Sequence, residues 1–450
     1  MKTNSFTPVP GSILAPKGFS AAGVFCDIKR LGTGKGSAKG PKRDLAIITS
    51  SSPATAAGMF TTNQICAAPV KVCVERVANG TAQAIVVNSG NANACTGDKG
   101  LKDAKTMTRE TARQLGLDED LVLVASTGRI GVTLPMPRVR QGIHAAAKIL
   151  NSSHASADHV AEAIMTSDTH PKQIAVSLPL GDQIVHIGGI CKGAGMIQPG
   201  MSPTGKRPAS SALHATMLGF LTTDAQIDRK TLQNALTQAV ALSFNRITVD
   251  GDMSTNDTVL ILANGQAGNT PFSETKAKKN PACKKDLEKF QTALNHVCLE
   301  LAKMIVRDGE GVHRVVTLRV HGARSHADAE AAARAVANSA LVKTSWHGGD
   351  PNWGRIIDAL GYSPATIVEN KVDIGYSTPE SNKITWSLKR GQPTRTSFKT
   401  LCAAVSPNSF DLHIHLNLGQ GHCTMIAADL TEAYVDFNKG DVSDPASLGG

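Results

Sequence analysis

Apolar positions along the chain fall into short blocks of two periods. Residues 45–49, 84–88 and 121–125 are β-branched-rich runs that each end in small polar residues, which predicts strands. Between them the 3.6-residue period predicts helices over 103–115 and 139–150. Residues 173–180 and 183–190 predict a hairpin turning at Gly181-Asp182. Further on, Leu232, Ala235, Leu236, Ala239 and Val240 share a helical face within 230–244. Leu287, Phe290, Leu294, Val297, Leu301 and Met304 do so over a longer helix, 284–305. A strand is predicted at 315–321, an alanine-rich helix at 327–340, a half-buried strand at 412–418 and another strand at 432–437. Residues 264–285 are polar with prolines and predict a surface excursion. No internal repeat is visible, and the pattern is that of an α/β chain with mixed or antiparallel sheets.

Composition narrows the class. The 450 residues are 41% hydrophobic and 19% charged, in the range of globular proteins, and long enough for one large core or two to three ordinary ones. Nine cysteines without a CxxC pair point to reduced thiols in the cytosol, not a disulfide framework. The N-terminus lacks the apolar core of a signal peptide. No stretch approaches the roughly 20 apolar residues of a membrane span. A soluble cytoplasmic protein is expected. The net charge of +10 raises the question of nucleic acid. Yet aromatics are only 4%, and the basic clusters at 29–43 and 204–207 sit in Gly/Ser/Pro-rich loops, so no nucleic-acid partner is expected. A positive field also gathers anionic amino acids.

Several motifs fail on inspection. Gly32-Thr33-Gly34-Lys35-Gly36 lacks the Ser or Thr that completes a phosphate loop. Residues 250–257 open like a calcium loop but carry Thr255 where glycine is required and Ile261 where glutamate is. His413 and His415 share a strand face without companion ligands, so no metal site is assigned. His347, in Trp346-His347-Gly348-Gly349-Asp350, reads as part of a closely packed loop with a structural role.

Other stretches suit acyl transfer. A glycine-rich run, Lys192-Gly193-Ala194-Gly195-Met196-Ile197, precedes a small-residue step, Ala215-Thr216, and then apolar Met217-Leu218-Gly219-Phe220-Leu221. A threonine hydroxyl needs a base. An α-amine freed by cutting before it would serve, since its pKa of about 7.7–8.0 leaves roughly a tenth unprotonated at pH 7, against well under a thousandth for lysine. A loop entering a helix is the other reading of Ala215-Thr216. Small turns at Asn88-Ser89-Gly90 and Ser126-Thr127-Gly128 could present N–H groups to an oxyanion.

These stretches occur in one order with Phe19-Ser20-Ala21-Ala22-Gly23-Val24, Met165-Thr166-Ser167-Asp168-Thr169, Thr222-Thr223-Asp224-Ala225, Asp250-Gly251-Asp252-Met253-Ser254-Thr255-Asn256-Asp257 and Asp350-Pro351-Asn352-Trp353-Gly354-Arg355. Over nearly its whole length the chain resembles the ornithine acetyltransferase (glutamate N-acetyltransferase) family of arginine biosynthesis. The resemblance implies a two-lobed α/β sandwich of the N-terminal-nucleophile type, self-cleaved between Ala215 and Thr216. The products are an α chain, 1–215, and a β chain, 216–450, that stay associated as α2β2. Thr216 is then the nucleophile, moving acetyl from N-acetylornithine to glutamate in a ping-pong cycle. Thr127 and Gly128 match the oxyanion pair. Thr166, Lys192, Thr216, Glu310, Asn438 and Ser443 match the substrate contacts. No cofactor is implied, and acetyl-CoA is a candidate co-substrate for glutamate N-acetylation.

The sequence departs from the family pattern around Ser202–Leu213, an insertion before the step, with His214 in place of the usual methionine. Residues 31–42 also resemble an insertion, and the tail after Phe437 diverges. Two rival readings are a related aminopeptidase or amidohydrolase, with water as acceptor, and an uncleaved amino-acid-binding homologue.

Overall fold

Alternation inside the buried strands sets the architecture. In Leu218–Thr223 and Thr258–Ala263 every residue is buried. Leu218, Phe220, Leu260 and Leu262 point into one core, and Leu221, Val259 and Ile261 into a second. A sheet with both faces covered follows from such runs. The computed structural model describes residues 6–29, 42–206, 217–379, 381 and 383–439. Among them the first sheet has ten strands. Leu218–Thr223 lies near its middle, parallel to Thr258–Ala263 and antiparallel to Gln183–Lys192. Beyond Thr258–Ala263 come the 17-residue strand Leu45–Thr61, then Thr81–Asn91 and Val122–Arg129. Strands from both sides of the 215/216 step therefore share this sheet.

Helices Ala68–Val77, Gly97–Leu115, Met136–Lys148 and His154–Ala163 cover one face. Arg229–Ala241 and Pro281–Arg307 cover the other. The latter starts at Pro281 with Asn280 Oδ1 accepting the N–H groups of Ala282 and Cys283 at 2.9 and 3.3 Å, an ordinary N-cap. It also touches Gly421–Ala428 of the second, seven-stranded sheet, so it bridges the lobes. That sheet is built on Val315–Ala323, between parallel Ser409–His415 and antiparallel Gly421–Ala428. Helices His326–Asn338, Ala340–His347, Trp353–Gly361 and Phe398–Val405 pack on its third core.

The hairpin appears as expected, with Leu180 paired to Gln183. Four expectations differ. The chain after 216 enters a strand, not a helix. The strand expected to be half-buried at 412–418 is Ser409–His415, central and buried along its interior. The strand expected at 432–437 is the helix Glu432–Asn438, capped by Thr431, whose hydroxyl accepts Tyr434 N–H at 3.1 Å. Within 264–285, Phe272 is buried against Phe290, 5.4 Å between rings.

Candidate active site

The strand register brings the candidate residues to one end of the first sheet. Leu218 lies opposite Lys192 on one side and Thr258 on the other. Lys192 and Asp257 thus flank the chain just where it leaves Thr216. Thr216 itself, Ala215, the 31–41 and 207–213 parts of the insertions, and Ser443 lie outside the described residues.

Lys192 is buried. Its ammonium stands 3.9 Å from Asp168 Oδ2, and burial pulls its pKa down against the attraction of Asp168. Asp168 is the anchor of a charge chain. Its Oδ1 accepts from Lys172 Nζ at 2.6 Å and from Gly193 N–H at 2.7 Å, and its Oδ2 from Thr166 N–H at 3.0 Å. Burial would raise this carboxyl, but Lys192 and Lys172 outweigh it and hold it well below the usual range. Lys172 continues to Asp308, and Asp308 accepts Thr169 N–H at 3.0 Å. Burial opposes the Lys172 charge, yet Asp168 and Asp308 raise its pKa. Thr166, Asp168 and Lys192 are thereby fixed together, two on the loop 164–171 and one at a strand end.

Glu310, in the connection between the helix Pro281–Arg307 and the strand Val315–Ala323, reaches the glycine-rich run that follows Lys192. Its N–H donates to Ala194 O at 2.9 Å. A Cβ at Gly195 would stand 2.3 Å from Glu310 Oε2, so any side chain there would push the carboxylate out of its present place. Asn438 Nδ2 donates to Glu310 Oε2 at 3.0 Å, which joins the helix Glu432–Asn438 to the site. His347 secures that helix by contacting Asp429 at 3.3 Å and Glu432 at 3.0 Å. This agrees with the structural role read from its motif, although it ends a helix and is not in a loop.

Thr127 and Gly128 close Val122–Arg129, in parallel register with Ser89 and Gly90. Gly128 has φ +130°, and a Cβ on it would lie 2.3 Å from the Gly90 carbonyl carbon, so the two strand ends approach only through glycine. Asn256 Nδ2 donates to Ala92 O at 2.7 Å and Ser126 O at 2.8 Å, tying both turns to the Asp250–Asp257 stretch. Thr127 Oγ1 is buried with no hydrogen-bond partner among the described residues. A donor left unsatisfied in a native core is exceptional and fits a group kept for a ligand.

Asp168, Asn256 and Asp257 lie inside sequence motifs that assign them no individual role. The i,i+4 spacing of Asp168 and Lys172 was the available signal. Among the described residues, His313, His347 and Asp429 have ligand atoms within 4.8 Å of one another. Arg314 N–H and His313 N–H already hold Asp429 Oδ1, at 2.9 and 3.0 Å, so hydrogen bonding accounts for this group. No helix among the described residues is long and apolar enough to cross a membrane.

The chain is similar to several known proteins. The ArgJ family profile matches residues 21–440. The arginine biosynthesis bifunctional protein ArgJ of Symbiobacterium thermophilum is 44% identical over 428 residues, 95% of this chain and 98% of its own. Its namesake in Geobacter sulfurreducens is 43% identical, over 94% and 98%. Among solved structures, ArgJ from Bacillus halodurans is 38% identical with a TM-score of 0.41, covering 44% of this chain and 98% of that one. The ornithine acetyltransferase of Mycobacterium tuberculosis, complexed with ornithine, is 34% identical with a TM-score of 0.39, covering 44% and 100%. On the family match and these near full-length identities, the chain belongs to the ArgJ family.

Proposed function

We propose that the protein moves acetyl from N-acetylornithine to glutamate in arginine biosynthesis, through an acetyl-enzyme on Thr216. The observation that carries this reading is the pairing of Lys192 with Leu218 at the start of the strand that begins two residues after Thr216, with Glu310 and Asn438 joined to the run after Lys192 and the Ser126–Gly128 turn tied by Asn256 to Asp257, which holds Met217. The names of the relatives give the pathway, arginine biosynthesis, and a bifunctional protein.

In this mechanism the chain opens between Ala215 and Thr216, giving segments 1–215 and 216–450 that remain together. The freed α-amine of Thr216 takes the Oγ proton as Oγ attacks the acetyl carbonyl. Gly128 N–H and the Thr127 hydroxyl donate to the oxyanion. Ornithine leaves as the amine, carrying the proton. Glutamate then attacks acetyl-Thr216 by the reverse sequence and departs as N-acetylglutamate. Lys192 receives a substrate carboxylate, while Glu310 takes the ammonium end of ornithine and Asn438 orients it. Thr166 and Ser443 complete the substrate contacts. No cofactor enters this cycle. Acetyl-CoA as a second donor to the same threonine would account for a bifunctional enzyme. An α2β2 assembly in the cytoplasm completes the proposal.

Denaturing mass spectrometry tests it directly. Two fragments meeting at 215/216 are expected, and the second gains one acetyl group on incubation with N-acetylornithine. Thr216→Ala should stay one chain and release no ornithine in the presence of glutamate. Glutamate-independent release would instead mark an amidohydrolase.

A further inference from the structure

Asp257 has no part in the chemistry outlined above, yet it holds the backbone one residue after the nucleophile. It precedes the strand Thr258–Ala263 and is fully buried. Its Oδ1 accepts the N–H of Met217, which belongs to the peptide bond formed by the Thr216 carbonyl. Thr258 N–H donates to Met217 O at 3.1 Å, so residue 217 is gripped on both sides of its backbone. The other oxygen, Oδ2, is buried with no hydrogen-bond partner among the described residues, and no cation there forms an ion pair with it.

Burial away from water and without a counter-ion within ion-pair distance disfavours the charged form of a carboxyl, so such a group stays protonated. Burial does push the Asp257 carboxyl well above the usual range, against the smaller pulls of Met217 N–H and Lys192. Hydrogen-bonding logic agrees. A protonated carboxyl can accept through Oδ1 and carry its proton on Oδ2, which is the pattern of a primary amide.

We propose that Asp257 is a positioning residue for acetyl transfer, acting through the Thr216–Met217 peptide as an uncharged hydrogen-bonding group and not as a base. The inference rests on Thr216 being the nucleophile. A misplacement near 1 Å at a reacting atom costs up to about 100-fold in rate, and it does so without weakening ground-state binding. Asp257→Asn keeps the acceptor for Met217 N–H and the shape, whereas Asp257→Ala and Asp257→Ser remove the acceptor or fall short of it.

The test uses the full-length enzyme, with kcat and KM for both substrates normalised to the cleaved fraction seen by intact mass. Asp257→Ala should lose about 10- to 100-fold in kcat with KM within about twofold. Asp257→Asn should recover kcat to within about threefold and keep the wild-type pH profile. Should Asp257→Ala not fold, Asp257→Ser supplies the same arm. Wild-type kcat in the Ala or Ser variant overturns the positioning role. A Asp257→Asn enzyme as slow as Asp257→Ala, or one that loses a limb of the pH profile, shows that the ionised carboxylate is needed and overturns the uncharged role. If wild type itself never carries acetyl on the fragment beginning at 216, the nucleophile assignment fails, a result separate from either outcome at Asp257.

Discussion

Thr127 separates activity from stability at a single atom. Its buried hydroxyl satisfies nothing in the described fold, so Thr127→Val should leave the thermal midpoint unchanged or higher. The same variant should lose about 100- to 1000-fold in kcat, because an oxyanion donor is gone. Calorimetry beside steady-state rates checks both halves. On the proposed mechanism, Glu310 would separate the two half-reactions. Glu310→Gln should raise KM for N-acetylornithine about 10- to 100-fold, the worth of one charge-assisted bond, while leaving the glutamate half-reaction near its original rate. Lys192 stood out as a candidate in the sequence because it opens a glycine-rich run, whereas Glu310 and Asn438 came only from the family resemblance. Asp308 did not stand out, because its meaning comes from Lys172, 136 positions away, and only the fold supplies that contact.

Elements were legible where period and context agreed. The apolar stripe expected over 284–305 is the helix Pro281–Arg307, whose proline-led start falls three residues earlier, inside the stretch read as a surface excursion. Glu432–Asn438 misled because Val435 and Phe437 alternate as in a strand, whereas both are exposed on a capped helix. Cap chemistry outweighed the period there. Ser409–His415 misled for the opposite reason. Its polar His413 is not on a wet face but bonds Ser377 Oγ at 2.9 Å, between two neighbouring strands. Burial pushes this imidazole down to about 4, with Arg319 and its neighbours His415 and His321 adding to the effect against Asp411. The unfolded value is about 6.5, so the folded state excludes the charged form. Stability from this group is therefore complete above about pH 6.5 and is lost as pH falls from there through about 4. Urea midpoints should drop over that window in wild type and drop less in His413→Gln, which keeps a hydrogen bond without titrating.

At the scale of the whole molecule, the α/β class could be read from alternating blocks, but strand order could not. Nothing in 218–223 announces that its neighbours are 183–192 and 258–263 and that it runs parallel to one of them, since a buried run fits any central slot. Membership of the lobes is equally hidden. The helix Pro281–Arg307 looks like an ordinary amphipathic element, yet it buries Ile305 and Val306 in the same core as Ile426 and Ala428 of the second sheet. Glu310 lies in the connection from that helix to the strand Val315–Ala323 and bonds the Ala194 carbonyl beside Lys192, so its position depends on how the junction packs. Loosening it, for example by Val306→Ala, should therefore reduce acetyl transfer as well as lower stability by about 1–3 kcal/mol, read from denaturant midpoints and rates on the same samples.

The mid-sheet seat of Leu218–Thr223 bears on the history of each molecule. A polypeptide nicked at 215/216 holds its fold through hydrogen bonds that were made while it was still one strand of covalent chain. Once unravelled, it would have to reunite two separate pieces, and its recovery on dilution from urea should slow as protein concentration falls. The uncut Thr216→Ala chain should regain its shape at a rate indifferent to concentration. Maturation, on this account, is a one-way passage whose product remembers an order of assembly it can no longer repeat alone.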